Sequence, residues 1–195
     1  MKFFLATKNE GKIREFKRIF NSLGIEMLSQ KDFESIMPEP DENGKTFTDN
    51  ALIKAHAGME FSGLPTVSDD SGLCVDALDG RPGILSARYS GIHGNDKENN
   101  KKLLSELKSV PESSRTARYV CAVACVFPDG REFTVSGECE GIIDFHESGS
   151  GGFGYDPLFI SSIGKFSEIS AEEKDKVSHR GIAISKFEEK LKDYL

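Results

Sequence analysis

The apolar positions of this chain change period repeatedly, and the changes lay out strands alternating with helices. Lys2 to Ala6 is a short apolar run that predicts a strand. From Gly11 to Leu23, the residues Ile13, Phe16, Ile19, Phe20 and Leu23 fall at helical spacing, and Gly24 closes that helix. Ile25 to Leu28 predicts a second strand. A polar loop follows, Pro38-Glu39-Pro40-Asp41-Glu42-Asn43-Gly44. Thr46-Phe47-Thr48-Asp49 then has the form of a capping box, opening a helix that runs to about Phe61. Pro65–Ser68 reads as a strand that ends at an acidic turn. Gly80-Arg81-Pro82-Gly83 is a turn, and Asp96 to Leu107 is a helix with Leu103, Leu104 and Leu107 facing inward. Alternating runs at Arg118–Phe127 and Glu132–Cys139 flank Pro128-Asp129-Gly130 and predict a hairpin. A glycine-rich segment, a strand at Leu158–Ile160 and a helix from about Ser178 complete the order. Ile184, Phe187, Leu191 and Tyr194 give the last helix one apolar face. The expected fold class is therefore α/β, a mixed twisted sheet with flanking helices, in a single domain over residues 1–195.

Composition narrows the partners. A formal net charge of −7 argues against a nucleic-acid surface, which needs clustered Lys and Arg, but leaves room for a nucleotide held by a few cations. The apolar run at Met1–Ala6 is much too short for a secretory leader, and no stretch reaches membrane-spanning length, so no membrane partner is expected. Cys74, Cys121, Cys125 and Cys139 show neither a CxxC pair nor zinc spacing. Cys121 and Cys125 are expected in the core on one sheet face, and reduced, buried thiols suggest a cytoplasmic protein.

Candidate chemistry gathers at four places. Ser68-Asp69-Asp70-Ser71-Gly72-Leu73 sets two adjacent carboxylates at a strand end. Carboxylates held close call for a cation, and a divalent metal is the natural one; an Asx-rich turn capped by Gly72 is the plainer reading. Glu42, in the acidic loop, is a second carboxylate for such an ion or simply an exposed charge. Lys54, inside the following helix, reaches a phosphate or lies at the surface. Thr7-Lys8-Asn9-Glu10-Gly11-Lys12 joins a strand to a helix N-terminus, which suits a phosphate, although the spacing is not that of a Walker A loop. Gly149-Ser150-Gly151-Gly152-Phe153-Gly154-Tyr155-Asp156-Pro157 contains a literal GxGxxG, yet it leads into a strand and not a helix. It is better suited to laying Phe153 against a flat base while Asp156 offers an acceptor. Finally, Lys174 precedes Ser178-His179-Arg180, with Ser178 as N-cap, and these donors suit a base carbonyl; an ordinary capped helix with basic residues is the alternative.

Taken in order, these segments resemble the inosine/xanthosine triphosphate pyrophosphatase family, the Ham-type enzymes. The resemblance covers nearly the whole chain and includes Thr46-Phe47-Thr48-Asp49-Asn50-Ala51 and Gly83-Ile84-Leu85-Ser86-Ala87-Arg88-Tyr89. It implies an elongated two-lobed fold with the nucleotide in a central cleft, a homodimer, and magnesium-dependent cleavage of a nucleoside triphosphate to monophosphate and pyrophosphate. Carried over by position, Thr7, Lys8, Asn9, Glu10, Gly11 and Lys12 bind the triphosphate, and Glu42 and Asp70 hold the metal. Asp70 is also the family's proposed proton acceptor; read from the residues themselves, catalysis falls to Asp70 or Asp69 as the base and to Lys54, which offsets charge on the leaving group. Ser71, Phe153, Gly154, Tyr155, Asp156, Lys174, His179 and Arg180 contact the substrate. The substrates implied are ITP, dITP and XTP, deaminated purines to be cleared from the nucleotide pool. Asp49 stands where Glu is common. Two other readings use the same residues: a pyrophosphatase for modified pyrimidine or methylated nucleotides, and a nucleotide-binding regulator without turnover. A redox or zinc protein fits the cysteine spacing poorly.

Overall fold

Seven strands form one mixed sheet in the computed structural model, in the order β2-β1-β3-β4-β5-β6-β7, with residues 1–194 described. β1 (Lys2–Leu5) runs parallel to both β2 (Glu26–Leu28) and β3 (Thr66–Val75). β4 (Thr116–Val126) and β5 (Glu132–Ile143) follow, and β6 (Phe159–Ser161) lies antiparallel to β5 and to the two-residue β7 (Gly164–Lys165). The helices are α1 (Glu10–Ser22), α2 (Phe47–Ser62), α3 (Asp96–Glu106), α4 (Ala171–Val177) and α5 (His179–Leu191). The expected α/β class and mixed sheet are what the chain adopts.

Local chemistry explains most helix starts. Asn9 Oδ1 caps α1 by accepting from the Lys12 N–H, and Asn95 Oδ1 does the same for Glu98 at α3. Thr46 and Asp49 form the expected capping box of α2.

The chain divides into two compact units. The first contains Met1–Asp70, Cys121–Gly137 and the stretch from Gly181 onward. Its core joins Phe3, Leu5, Phe16, Phe20, Cys121, Cys125, Ile184, Phe187 and Leu191. Phe20 meets Phe187 edge-on at 5.1 Å. Each such buried ring stabilises the unit by roughly 1.5–3 kcal/mol relative to exposure. Cys121 and Cys125 are both buried here, as their spacing anticipates. The second unit contains Ser71–Val120 and Glu138–Arg180, with a core of Leu73, Leu103, Leu107, Tyr119, Leu158, Phe159 and Phe166.

Three expectations need correction. β3 does not stop at Ser68: it continues through Asp69 and Asp70 to Val75, so the acidic pair is mid-strand and not at a rim turn. Asp is a poor strand residue in isolation, but lysine partners for both side chains compensate for its burial. The helix expected from about Ser178 is α5, but ahead of it stands a helix the pattern does not anticipate: Ser170 and Glu173 form a capping box that opens α4, and Ser178, in an extended conformation, ends it. Lys174 is therefore a helical residue. Both hairpin strands also extend further, to Thr116 and Ile143.

Candidate active site

The first unit holds a cluster of lysines and carboxylates. Successive residues of a strand project to opposite faces, and Asp69 and Asp70 accordingly meet different helices. Asp69 Oδ2 lies 2.9 Å from Lys12 Nζ of α1, with the carboxylate fully buried. Asp70 Oδ1 lies 3.0 Å from Lys54 Nζ of α2, and the same ammonium is 2.9 Å from Glu42 Oε2. Each of the two adjacent carboxylates thus has a lysine partner. Asn50 adds a link: its Nδ2 donates to Asp70 Oδ2 at 3.3 Å while its Oδ1 accepts from the Gly44 N–H at 2.9 Å. Glu42's acidic loop and β3 are thereby tied to one turn of α2.

Burial pushes the Asp70 carboxyl above its ordinary 3.8, with the neighbouring Asp69 adding to the shift and Lys54 and Lys12 opposing it. Burial alone would depress Lys54. The attraction of Asp70, Asp69 and Glu42 overrides it and holds the ammonium above 10.5, so Lys54 is charged at neutral pH.

The turn at Thr7–Lys12 is less uniform than its run of polar residues suggests. Thr7 Oγ1 accepts from the Asn9 N–H, and Asn9 spends its side-chain oxygen on the cap. Lys8 reaches Glu39 and Glu10 pairs with Lys31, both at exposed positions. Lys12, close to the first turn of α1, is the member of the run drawn into the buried cluster, and Gly11 is buried beside it.

The second unit holds a cation–aromatic cluster. Asp156 Oδ2 accepts from Lys174 Nζ at 2.6 Å and from the Phe153 N–H at 2.9 Å, and Tyr119 donates to Oδ1 at 3.4 Å. Gly152 has a φ of +74°, and a Cβ there would collide with the Asp156 carboxylate, so the turn requires glycine. The Phe153 ring has Lys174 Nζ 5.1 Å and the Arg180 guanidinium 5.8 Å from its centre. Arg180 Nη2 donates to Ser71 Oγ at 3.0 Å. His179 stacks on Tyr119 with ring centres 4.5 Å apart and planes within 9°. Tyr155 donates to the Ser86 carbonyl, inside the Gly83–Arg88 segment that the sequence marks without assigning a role. The GxGxxG leads into β6 and opens no helix, in keeping with its reading as something other than a dinucleotide fingerprint.

The structure thus groups Lys12, Glu42, Lys54, Asp69 and Asp70 in one unit and Ser71, Phe153, Asp156, Lys174, His179 and Arg180 in the other. Lys8 and Glu10 pair instead with Glu39 and Lys31. Asn50 and Tyr119 escape sequence reasoning. Asn50 directly follows the capping box and is buried, but a polar residue in the first helical turn is ordinary; Tyr119 in an apolar run reads only as core.

Fold and side chains define the class: a mixed-sheet α/β protein with half-buried lysines paired to carboxylates in one unit and a buried cation–aromatic cluster in the other. The chain belongs to the Ham1 family, whose model matches residues 3–190. A dITP/XTP pyrophosphatase of Geobacter sulfurreducens is 50% identical over 98% of this chain and 94% of its own length. A HAM1 protein from Coxiella burnetii superposes with a TM-score of 0.86 at 34% identity, covering 99% of both chains. The nucleoside-triphosphatase / dITP/XTP pyrophosphatase of Mycobacterium abscessus is 44% identical with a TM-score of 0.75, covering 96% of this chain and 97% of that one.

Proposed function

We propose that this chain is a nucleoside-triphosphate pyrophosphatase. It hydrolyses ITP, dITP and XTP to the monophosphate and pyrophosphate, with magnesium, and so clears deaminated purines from the nucleotide pool. The observation that carries the reading is the half-buried Lys12–Asp69 and Glu42–Lys54–Asp70 cluster, the charge set that transfer at a phosphorus needs. The names of relatives at this level of identity point the same way.

The donor set suits magnesium. Glu42 and Asp70 offer hard carboxylate oxygens, and among the described residues no group of three or more His, Cys, Asp and Glu is placed to hold an ion. A site of one or two carboxylates completed by substrate phosphates is the usual arrangement for this ion. When bound there, it would neutralise phosphate charge and polarise the anhydride. Asp70, with its carboxyl pushed up by burial, accepts the proton of the attacking water, and Asp69 holds Lys12 in position. Lys12 and Lys54 offset charge on the leaving pyrophosphate, beside the free amides at the start of α1. Thr7, Lys8, Asn9, Glu10 and Gly11 complete the phosphate-facing turn.

Phe153 offers a face for the purine. Lys174, His179, Arg180 and loop amides supply donors for the 6-keto oxygen that ITP and XTP carry and ATP lacks. ATP would set donor against donor and leave buried groups unpaired, at about 1–3 kcal/mol each, or several hundred-fold for two such groups. A cytoplasmic homodimer belongs to the same proposal. No helix among the described residues is long and apolar enough to cross a membrane.

A panel of ITP, XTP, dITP, GTP, ATP and dUTP with magnesium, scored for pyrophosphate against orthophosphate, tests the reading. Pyrophosphate with strong preference for ITP and XTP is expected. Orthophosphate, equal turnover of ATP, or dUTP cleaved faster than ITP would refute it, the last in favour of a pyrimidine enzyme.

A further inference from the structure

We infer that Asp96 and Asn100 of α3 are positioning residues that clamp Gly154 and so set the geometry of the loop carrying Phe153 and Asp156, an inference that rests on the nucleotide reading. Gly154 stands directly between Phe153 and Tyr155 with a φ of +64°. Its N–H donates to Asp96 Oδ2 at 2.8 Å, and its carbonyl accepts from Asn100 Nδ2 at 3.1 Å. Positions four apart lie one above the other on a helix, so one face of α3 grips both polar groups of a single peptide residue.

The helix providing the grip is itself held. Leu103 and Leu107 are buried in the core of the second unit, and Asn99 accepts from the Ser90 N–H at 2.8 Å. Asn100 is 2% exposed, and its Oδ1 finds no partner among the described residues. A buried amide with only its donor side in use is costly, which makes the bond to Gly154 the feature that justifies an asparagine there.

The consequence reaches both functional ends of the loop. Phe153's own N–H is bonded to Asp156, and Asp156 to Lys174, so a shift at Gly154 moves the ring and the carboxylate together. Residues remote from the ligand thereby fix the pocket wall that meets the base.

Steady-state kinetics on Asp96→Ala, Asp96→Asn, Asn100→Ala and Asn100→Asp test the clamp, with Lys101→Ala, exposed on the same helix, as control. Asp96→Ala is expected to raise the KM for ITP by roughly tenfold and to narrow the preference over ATP, while kcat changes much less. Asp96→Asn keeps an acceptor for the Gly154 N–H and restores most of the KM. Asn100→Asp, which faces a carboxylate to the Gly154 carbonyl, is expected to be worse than Asn100→Ala. Wild-type KM and selectivity in both alanine variants, or an Asp96→Asn no better than Asp96→Ala, would overturn the inference. A purely structural role would lower the melting temperature without moving KM. Amide hydrogen exchange at Gly154 decides the clamp without any activity: it accelerates in Asp96→Ala and not in Lys101→Ala, and unchanged exchange refutes it. Should the wild-type protein cleave no nucleoside triphosphate, the functional reading fails on its own and the exchange result still stands.

Discussion

Lys54 is the residue on which the lysine–carboxylate cluster turns, because one ammonium lies within 3.0 Å of oxygens from both Glu42 and Asp70. Replacing it with Met leaves two carboxylates in a half-buried setting without their cation. Turnover of ITP by Lys54→Met is expected to fall by at least about a hundredfold, since the loss removes charge stabilisation that matters most in the transition state. Wild-type kcat in that variant would remove Lys54 from the chemistry. Asn50 tests the support of the same site: Asn50→Ala severs the tie between the Gly44 loop and Asp70, and kcat is expected to drop about tenfold while Asn50→Asp fails to rescue it, a carboxylate facing a carboxylate. Equal activity of both variants and wild type would make Asn50 a bystander. The lysines and carboxylates were legible as residue types in the sequence, since a polar run after a short strand and an adjacent acidic pair are local signals. Which lysine meets which carboxylate was not legible, because those pairs join residues 12 to 69 and 54 to 70 through folding alone.

At the scale of elements, segments with strong local codes lie close to where the pattern places them. α1 carries its own cap and apolar stripe, α2 its capping box, and β4 and β5 a turn built on Asp129 and Gly130. Elements that depend on distant partners were hidden. β3 runs through two aspartates because lysines from α1 and α2 compensate them, and a strand pattern alone cannot contain that information. α4 is seven residues long, too short for a periodic signal, and only the Ser170–Glu173 pair announces it. The end of β5 gives a pH-dependent prediction. Lys165 Nζ lies 2.6 Å from Asp144 Oδ2 and holds that carboxyl below its ordinary 3.8, the backbone N–H of Phe145 helping. A carboxyl whose folded value is depressed contributes stability above the unfolded value of 3.8 and loses it as pH falls through the folded one. Asp144→Asn should therefore cost on the order of 1 kcal/mol near neutrality, after discounting for solvent screening. The gap from wild type should close in urea titrations below pH 3.8. A gap that persists undiminished in acid would mean that packing, and not charge, holds this corner.

For the whole molecule, the sequence places two chemistries on one strand. Asp70 ends the first segment of the first unit and Ser71, bonded to Arg180, begins the second unit, so adjacent residues of β3 belong to the charge cluster and to the aromatic one. Each unit has its own support: Asn50 ties the Gly44 loop to Asp70 in the first, and Asp96 with Asn100 holds Gly154 in the second. In the proposed reaction Asp70 takes the proton of a water that attacks the α-phosphorus, with pyrophosphate leaving onto Lys12 and Lys54; hydrolysing ITP in oxygen-18 water and locating the label by mass spectrometry tests this most directly. The expected result is label in the monophosphate and none in the pyrophosphate. Label in pyrophosphate would mean attack at the β-phosphorus, and label in orthophosphate attack at the γ-phosphorus; either would contradict the mechanism drawn from Asp70, Lys12 and Lys54.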